Sequence, residues 1–435
     1  MNPVIPKDIP LALPAPFWLL TVLLLVSFAL HILFVNLMVG GSVMVLFTEI
    51  LGRKNRDWER ISRAIGKTIT VNKSVAVVLG VAPLLTISVL YTMYFYTANL
   101  LTATMWLMII PLIIAAFLLT YAHKYSWDRL ENAKGVHLSM AIASTALFLF
   151  IPIVFLTNIN LMLFPERWRE VGSFWSAATL PNVLPRYLHF LAATISVMAL
   201  FLVKYLSRDR FFATLGLETM TREHVMRSFY GVAFVATGLQ FLAGPVLFFT
   251  LPSHTVSWTI IIILSIVVIP LAVLTVWWLW KEMQAEQPGR WFWHIVGLLS
   301  VVVSFMVYVR HDVRETAIAP YRVESAAATT AYMAEVKAAQ NYLVVPGGLG
   351  GKPVSPGEQL FQRKCASCHA IDKRLVGPPL AETGKTYAGN PEGIVAWSLN
   401  PGRKRLDYPP MPAQELSPAD LLLVADYILD ATGNK

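Results

Sequence analysis

Long apolar runs separated by short polar segments fill the first three quarters of the chain. Eight of them reach the roughly 20 residues that a helix needs to cross a bilayer. They lie at about 16–48, 69–97, 101–121, 138–163, 184–206, 226–250, 257–280 and 291–310. The first two exceed a minimal span and are expected to tilt or to project beyond the hydrocarbon. The pattern predicts an all-α fold: a polytopic membrane bundle of about eight transmembrane helices.

Beyond residue 310 the pattern changes. Ser325–Ala339 is alanine-rich with few breakers and reads as a short helix. Val345-Pro346-Gly347-Gly348-Leu349-Gly350-Gly351-Lys352-Pro353 reads as a flexible tether. The remainder has the size of one small domain. Ser355-Pro356-Gly357-Glu358 and Ser417-Pro418-Ala419-Asp420 both place Pro at the first helical position behind a capping Ser. The expected organisation is a membrane bundle over 1–315, a linker over 316–353 and a small domain over 354–435.

Composition agrees with a membrane protein: 56% of residues are hydrophobic and only 14% charged, outside the range of an ordinary soluble domain. The formal net charge of +9 suggests an anionic partner until its location is considered. Arg53, Lys54, Arg56, Arg60, Arg63 and Lys67 lie in the first loop, and Lys124, Arg129 and Lys134 in the third. Lys204, Arg208, Arg210 and Arg222 lie in the fifth, and Lys281 and Arg290 in the seventh. The intervening loops 98–100 and 251–256 have no Lys or Arg, and 164–183 has only Arg167 and Arg169. By the positive-inside rule both ends of the bundle face away from the cytoplasm. The basic excess therefore reports topology, the partner it implies is the lipid bilayer, and no nucleic-acid partner is expected. No short cleavable leader stands out, and the first long apolar run suffices to direct insertion.

The small domain carries the clearest chemistry. Cys365-Ala366-Ser367-Cys368-His369 contains both cysteines of the chain. That spacing is the signature of covalent c-type haem attachment: Cys365 and Cys368 supply thioethers, and the His369 imidazole reaches the iron. A zinc site would need further Cys or His ligands, yet His369 is the only histidine after His311. A redox dithiol would not need the histidine. With both cysteines used, no disulfide is expected. Cytochromes c commonly pair Met with His at the iron. After Lys352 the chain has one methionine, Met411, stiffened by Pro409, Pro410 and Pro412. Elimination thus selects Met411 as the second ligand. The set formed by Cys365–His369, Val376-Gly377-Pro378-Pro379-Leu380, the Met411 loop and the terminal helix resembles a class I cytochrome c. The resemblance covers the whole of 354–435 and implies a small helical fold around one low-spin haem that transfers single electrons.

Histidines inside a bilayer are expensive and default to functional hypotheses. Four lie between the midplane and the outer face on different helices: His31, His189, His254 and His311. His123, His137, His224 and His294 lie at the opposite ends beside basic residues and read as interfacial. The outer four suffice for two bis-histidine haems b, or for one such haem and one with an open position. The segments His31–Gly40, Arg186–Ala193, Met226-Arg227-Ser228-Phe229 and Arg310-His311-Asp312-Val313-Arg314 resemble the large subunit of cytochrome bd quinol oxidases. That resemblance spans about 16–320. It implies haem ligation by His31 and His189, and His311 falls where the family has a haem-ligating glutamate. His254 stands nearest to the family's ligating methionine, which suggests the pairs His189–His254 and His31–His311. Arg186, Arg310 and Arg314 flank these ligands and suit haem propionates. Two departures matter. Residues 68–121 contain no Asp or Glu, where the family has glutamates near its oxygen-reducing haem, and the long quinol-binding loop has shrunk to about Leu251–Val256.

These features predict a respiratory electron-transfer protein of a bacterial inner membrane, with the haem c domain in the periplasm. Electrons would pass between the quinone pool and a periplasmic redox protein through haems b and one haem c. The activity class is a quinol:cytochrome c-type oxidoreductase or a subunit of one. The alternatives are a bd-like terminal oxidase with a fused cytochrome c, and an electron-relay anchor within a larger complex with further subunits.

Overall fold

The computed structural model describes residues 13–344 and 354–434, without the side chains of 71–74 and 339–344. The described residues contain helices, turns and loops but no strand. They form two compact units, 1–329 and 330–435. The expected tether Val345–Pro353 lies outside the described residues.

The first unit begins with α1 (Phe17–Gly52), α2 (Arg56–Leu90), α3 (Thr92–Leu101), α4 (Ala103–Tyr125), α5 (Lys134–Leu161) and α6 (Phe174–Ala178). It continues with α7 (Val183–Leu206), α8 (Asp209–Leu215), α9 (Arg222–Phe249), α10 (Trp258–Ile262), α11 (Ile269–Gln284) and α12 (Phe292–Val344). A π-helical segment over Ile263–Val268 joins α10 to α11 into one span. Among the described residues seven helices are long and apolar enough to cross a membrane, and α2, bent by 44° between Thr70 and Val75, makes an eighth when its two halves count as one span. Two boundaries differ from the hydrophobic pattern. The second helix starts at Arg56 rather than near 69, because Asn55 caps it through the Asp57 N–H. The short helix expected over Ser325–Ala339 is continuous with α12.

Helix α1 is the hub of this unit and packs on α2, α5 and α7. Its small residues let backbones approach closely, as in other membrane helix pairs. A Cβ on Gly40 would lie 2.2 Å from the Thr194 carbonyl oxygen of α7, and one on Gly41 would meet Ile69 of α2 at 2.8 Å. The buried core joins Leu37, Met38 and Val45 to Ile61, Ile65, Met198, Leu202 and Phe229. Val78, Leu100 and Phe249 point outward, as a surface solvated by lipid rather than water requires.

The loops gather at two ends. At one, buried Asp57 accepts the backbone N–H groups of Glu218, Thr219 and Met220, Arg63 pairs with Asp128 and Lys134 with Glu59. At the other, Tyr321 donates to Glu166, the Asn182 amide to Leu247 O and Thr250 Oγ1, and Ser257 to Asp312.

The second unit contains α13 (Pro356–Lys364), α14 (Leu380–Thr386), α15 (Pro391–Leu399) and α16 (Pro418–Ala431). Ser355 and Ser417 cap α13 and α16 by accepting from the Glu358 and Asp420 N–H groups, both at 3.1 Å. The two helices cross at Gly357, where a Cβ would lie 2.0 Å from the Leu423 carbonyl oxygen. Phe361 and Tyr427 pack beside the crossing, with ring centroids 5.4 Å apart.

Candidate functional site

Cys365 to His369 form a tight turn at the end of α13. The N–H groups of Cys368 and His369 both donate to Cys365 O, at 3.1 and 2.9 Å. Both thiols are free and partly accessible. Burial, and then the neighbouring Cys368, push the Cys365 thiol up. A redox dithiol works through a thiolate of lowered pKa, so this shift disfavours that reading. His369 Nδ1–H donates to Pro378 O at 3.3 Å, which leaves the Nε2 lone pair available. A Cβ on Gly377 would lie 2.3 Å from His369 Cε1, so the segment can lie against the imidazole only because residue 377 is glycine.

Half-buried Met411 sits in a braced loop. Tyr408 is buried between Arg374 and Arg405, whose guanidinium carbons lie 4.3 and 4.6 Å from the ring centre. Arg374 donates to Asp407 O at 2.8 Å, and Gln414 N–H to Ser398 O at 2.9 Å. Arg405 grips both Asp407 and Glu382. The loop is thus tied to the segment after His369 and to the end of α15.

In the first unit, His31 Nδ1–H donates to Ala76 O at 2.9 Å and leaves Nε2 free. Its ring fits against α2 because residue 80 is glycine; a Cβ there would lie 2.8 Å from His31 Cε1. His189 Nδ1 is buried without a hydrogen-bond partner. His311 Nδ1 lies 3.4 Å from the Tyr91 hydroxyl, which donates to Glu315. Arg322 also pairs with Glu315. Arg186, Arg310 and Arg314 are close enough to repel one another. Arg186 donates to Asn182 Oδ1, Arg314 lies over Tyr91, and Arg310 lies over Phe28 with its Nε buried and unpaired. Among the described residues no carboxylate pairs with any of the three. Phe28 lies one turn before His31, so the Arg310–Phe28 contact also sets α12 beside α1. His254 stands apart: it is exposed on a 3₁₀ turn, and its Nε2–H donates to Ala317 O at 3.1 Å.

The cytochrome c family model matches residues 354–432. The same region is 35% identical over 79 residues to cytochrome c-551 of Pseudomonas denitrificans, covering 96% of that protein and 17% of this chain. The chain belongs to the cytochrome c family. Cytochrome c-551 of Azotobacter vinelandii is 35% identical over 77 residues, covering 94% of that protein and 17% of this chain. Cytochrome c-552 of Hydrogenobacter thermophilus is 30% identical over 90 residues, covering 92% of that protein and 20% of this chain. The structure of bd oxidase from Geobacillus thermodenitrificans superposes with a TM-score of 0.51 at 14% identity, over 75% of this chain and 97% of the matched chain. That likeness shows a shared fold for the membrane part.

The residues of the cytochrome c domain fit a covalent haem: two free thiols, an imidazole with one nitrogen spent and the other open, and a glycine cradle. The membrane unit fits an anionic, iron-bearing group. Among the described residues three neighbouring guanidiniums, one buried and two half-buried, lack a carboxylate partner, and leaving such charge uncompensated is costly. Hydropathy and histidine depth missed Tyr91, Asn182 and Glu315. Asn182 and Glu315 stand four residues from Arg186 and His311, on the same helical faces, and that spacing was the available signal. His224 and His294 are exposed, as expected of interfacial residues. His123 and His137 are instead buried and converge on Glu49, an outcome that needed three helix ends to meet.

Proposed function

We propose that this membrane protein, with its cytochrome c domain, carries electrons between the quinone pool and a periplasmic redox protein, using two haems b and one haem c. When bound, each haem supplies reversible one-electron chemistry. Cys365 and Cys368 hold the haem c covalently, and His369 and Met411 ligate its iron. His31, His189 and His311 are the b-type ligands best placed. His254 would have to use Nδ1, since its Nε2 is spent on Ala317. Arg186, Arg310 and Arg314 bind propionates and neutralise their charge. Quinol oxidation yields two electrons and two protons; the electrons leave singly, and the protons are released on the periplasmic side. Glu315, held by Tyr91 and Arg322 beside His311, offers one carboxylate that can pass them on one at a time.

The observation that carries this reading is the cluster of three arginines without a carboxylate partner among the described residues, set beside open imidazole nitrogens. Pyridine haemochrome analysis of the purified protein should give two b for each c, and added quinol should reduce the haem c. A preparation with haem c but no haem b would overturn the membrane half of the proposal. A terminal-oxidase reading is favoured by the fold shared with bd oxidase. It requires a carbon monoxide-binding haem and oxygen uptake, which a difference spectrum and an oxygen electrode would detect.

A further inference from the structure

Outside the proposed haem sites, one set of metal-ligating side chains converges inside the bundle. Glu49 lies in the last turn of α1, His123 in the last turn of α4 and His137 in the first turn of α5. His123 Nε2 lies 2.7 Å from Glu49 Oε2, and His137 Nδ1 lies 2.7 Å from Glu49 Oε1. The three ligand atoms all fall within 4.8 Å of one another. Both imidazoles are buried, with 4% and 5% of their surface exposed. Trp127 closes over them, its ring edge-on to His123 at 5.2 Å and to His137 at 4.5 Å.

The hydrogen bonding is incomplete without a cation. His137 Nε2–H is spent on His123 O at 3.0 Å, so in the neutral ring Nδ1 presents a lone pair to a carboxylate oxygen. Two acceptors at 2.7 Å repel unless a proton or a metal ion bridges them, and a metal at about 2.0–2.1 Å from each would spread them slightly. Fixing one imidazole nitrogen on a backbone carbonyl is how metal-binding histidines are commonly oriented. No Lys or Arg among the described residues pairs with Glu49. The adjacent Lys124 instead donates to Thr70 Oγ1 at 2.8 Å. The C-terminal ends of α1 and α4 point negative poles at the cluster and the N-terminal end of α5 a positive one, which leaves a net field that favours a cation. Next to His123 lies a cavity of about 10 Å³, lined by Ser42, Thr120, Ser144 and Thr145 and just large enough for one water.

We propose that Glu49, His123 and His137 bind one divalent transition-metal ion, zinc(II) by preference, with a water completing its ligand shell. Two imidazole nitrogens and one carboxylate select a first-row transition ion over magnesium or calcium. Three protein ligands plus water is a common zinc arrangement. The ion clasps α1 to the α4–α5 hairpin at the end of the bundle that carries the basic loops. It is independent of haem iron and of the proposed quinone chemistry.

The test uses full-length detergent-purified protein carrying no polyhistidine tag. Elemental analysis after equilibration with zinc(II) and desalting should find about one zinc per chain in addition to haem iron. Glu49→Gln and His137→Gln should each weaken zinc binding at least tenfold while the haem spectrum is unchanged. Zinc-edge X-ray absorption on the unaltered protein, which needs no variant to fold, should show two imidazoles and a nitrogen/oxygen shell at about 2.0–2.1 Å. Failure to retain zinc at micromolar concentrations would overturn the proposal and leave a proton-bridged cluster. Zinc retained equally by both variants, or an edge spectrum without imidazole scattering, would mark an adventitious surface ion and overturn it too.

Discussion

Gly377→Ala is a demanding test of the cytochrome c site. The new Cβ would stand 2.3 Å from His369 Cε1, 2.7 Å from Nδ1 and 2.8 Å from Nε2, where ordinary contact is 3.4–4 Å. Relief therefore needs a displacement of about 1 Å. The imidazole has little freedom to give it, because the His369 N–H is tied to Cys365 O and its ring to Pro378 O. The Gly377 backbone is itself tied to Cys368 O at 2.9 Å. Overpacking of this kind costs about 1–3 kcal/mol, and loss of the Pro378 hydrogen bond adds about 1 kcal/mol. At the lower end of that sum, about 2 kcal/mol, the midpoint for thermal loss of the haem c ligation spectrum should fall by roughly 8–16 °C for a domain of this size. The cysteines are untouched, so covalent haem content should match the parent protein. The assay is a thermal scan of the haem c absorption in the full-length protein, with haemochrome as the control. An unchanged midpoint with an unchanged spectrum would refute the claim that residue 377 must be glycine to seat the imidazole.

Met411→Ala should leave the haem covalently attached but remove its sulfur ligand. The sulfur–iron charge-transfer band should disappear and the midpoint potential should fall by on the order of 0.1 V in a redox titration; a normal potential would reassign the ligand. Asp57→Ala strips the acceptor from three backbone N–H groups and the Thr219 hydroxyl at a buried site. It should cost about 3 kcal/mol and expose the 216–221 loop to limited proteolysis; equal resistance would show that Asp57 does not hold the loop. The hydrogen bond from Arg405 lowers the Asp407 carboxyl below its usual value. Its contribution is therefore present above the unfolded carboxylate value of about 3.9 and is lost as pH falls through the lowered folded value. An acid titration of the haem c spectrum should show Met411 ligation loosening only below about pH 4, and Asp407→Asn should abolish that step. Both side chains are about half exposed, so the effect should be small and weakened by salt.

Much of the architecture was legible along the chain because lipid imposes a simple rule. A helix that crosses hydrocarbon must satisfy its own backbone and hide few charges, so span number and element type follow from hydropathy. The Cys365–His369 turn was legible for a related reason: two thioethers and an imidazole must come from one short segment to meet one haem. Local capping likewise placed the starts of α13 and α16. Other features required three dimensions. Asp57, in the first turn of α2, holds residues 218–220, which are far away in sequence. His254 looked equivalent to His189 by depth, yet one is exposed and engaged with Ala317 while the other is buried with Nδ1 unpaired. Arg186, Arg310 and Arg314 come from two helices and become neighbours only when those helices pack. His123 and His137 read as interfacial residues by depth alone, and Glu49, ahead of the first basic loop, gave no sign of joining them. Transfer free energy along the chain determines which segments enter the membrane. Which side chains face one another is decided by helix rotation and packing, and these depend on close approaches such as Gly40 on Thr194 that no single segment contains.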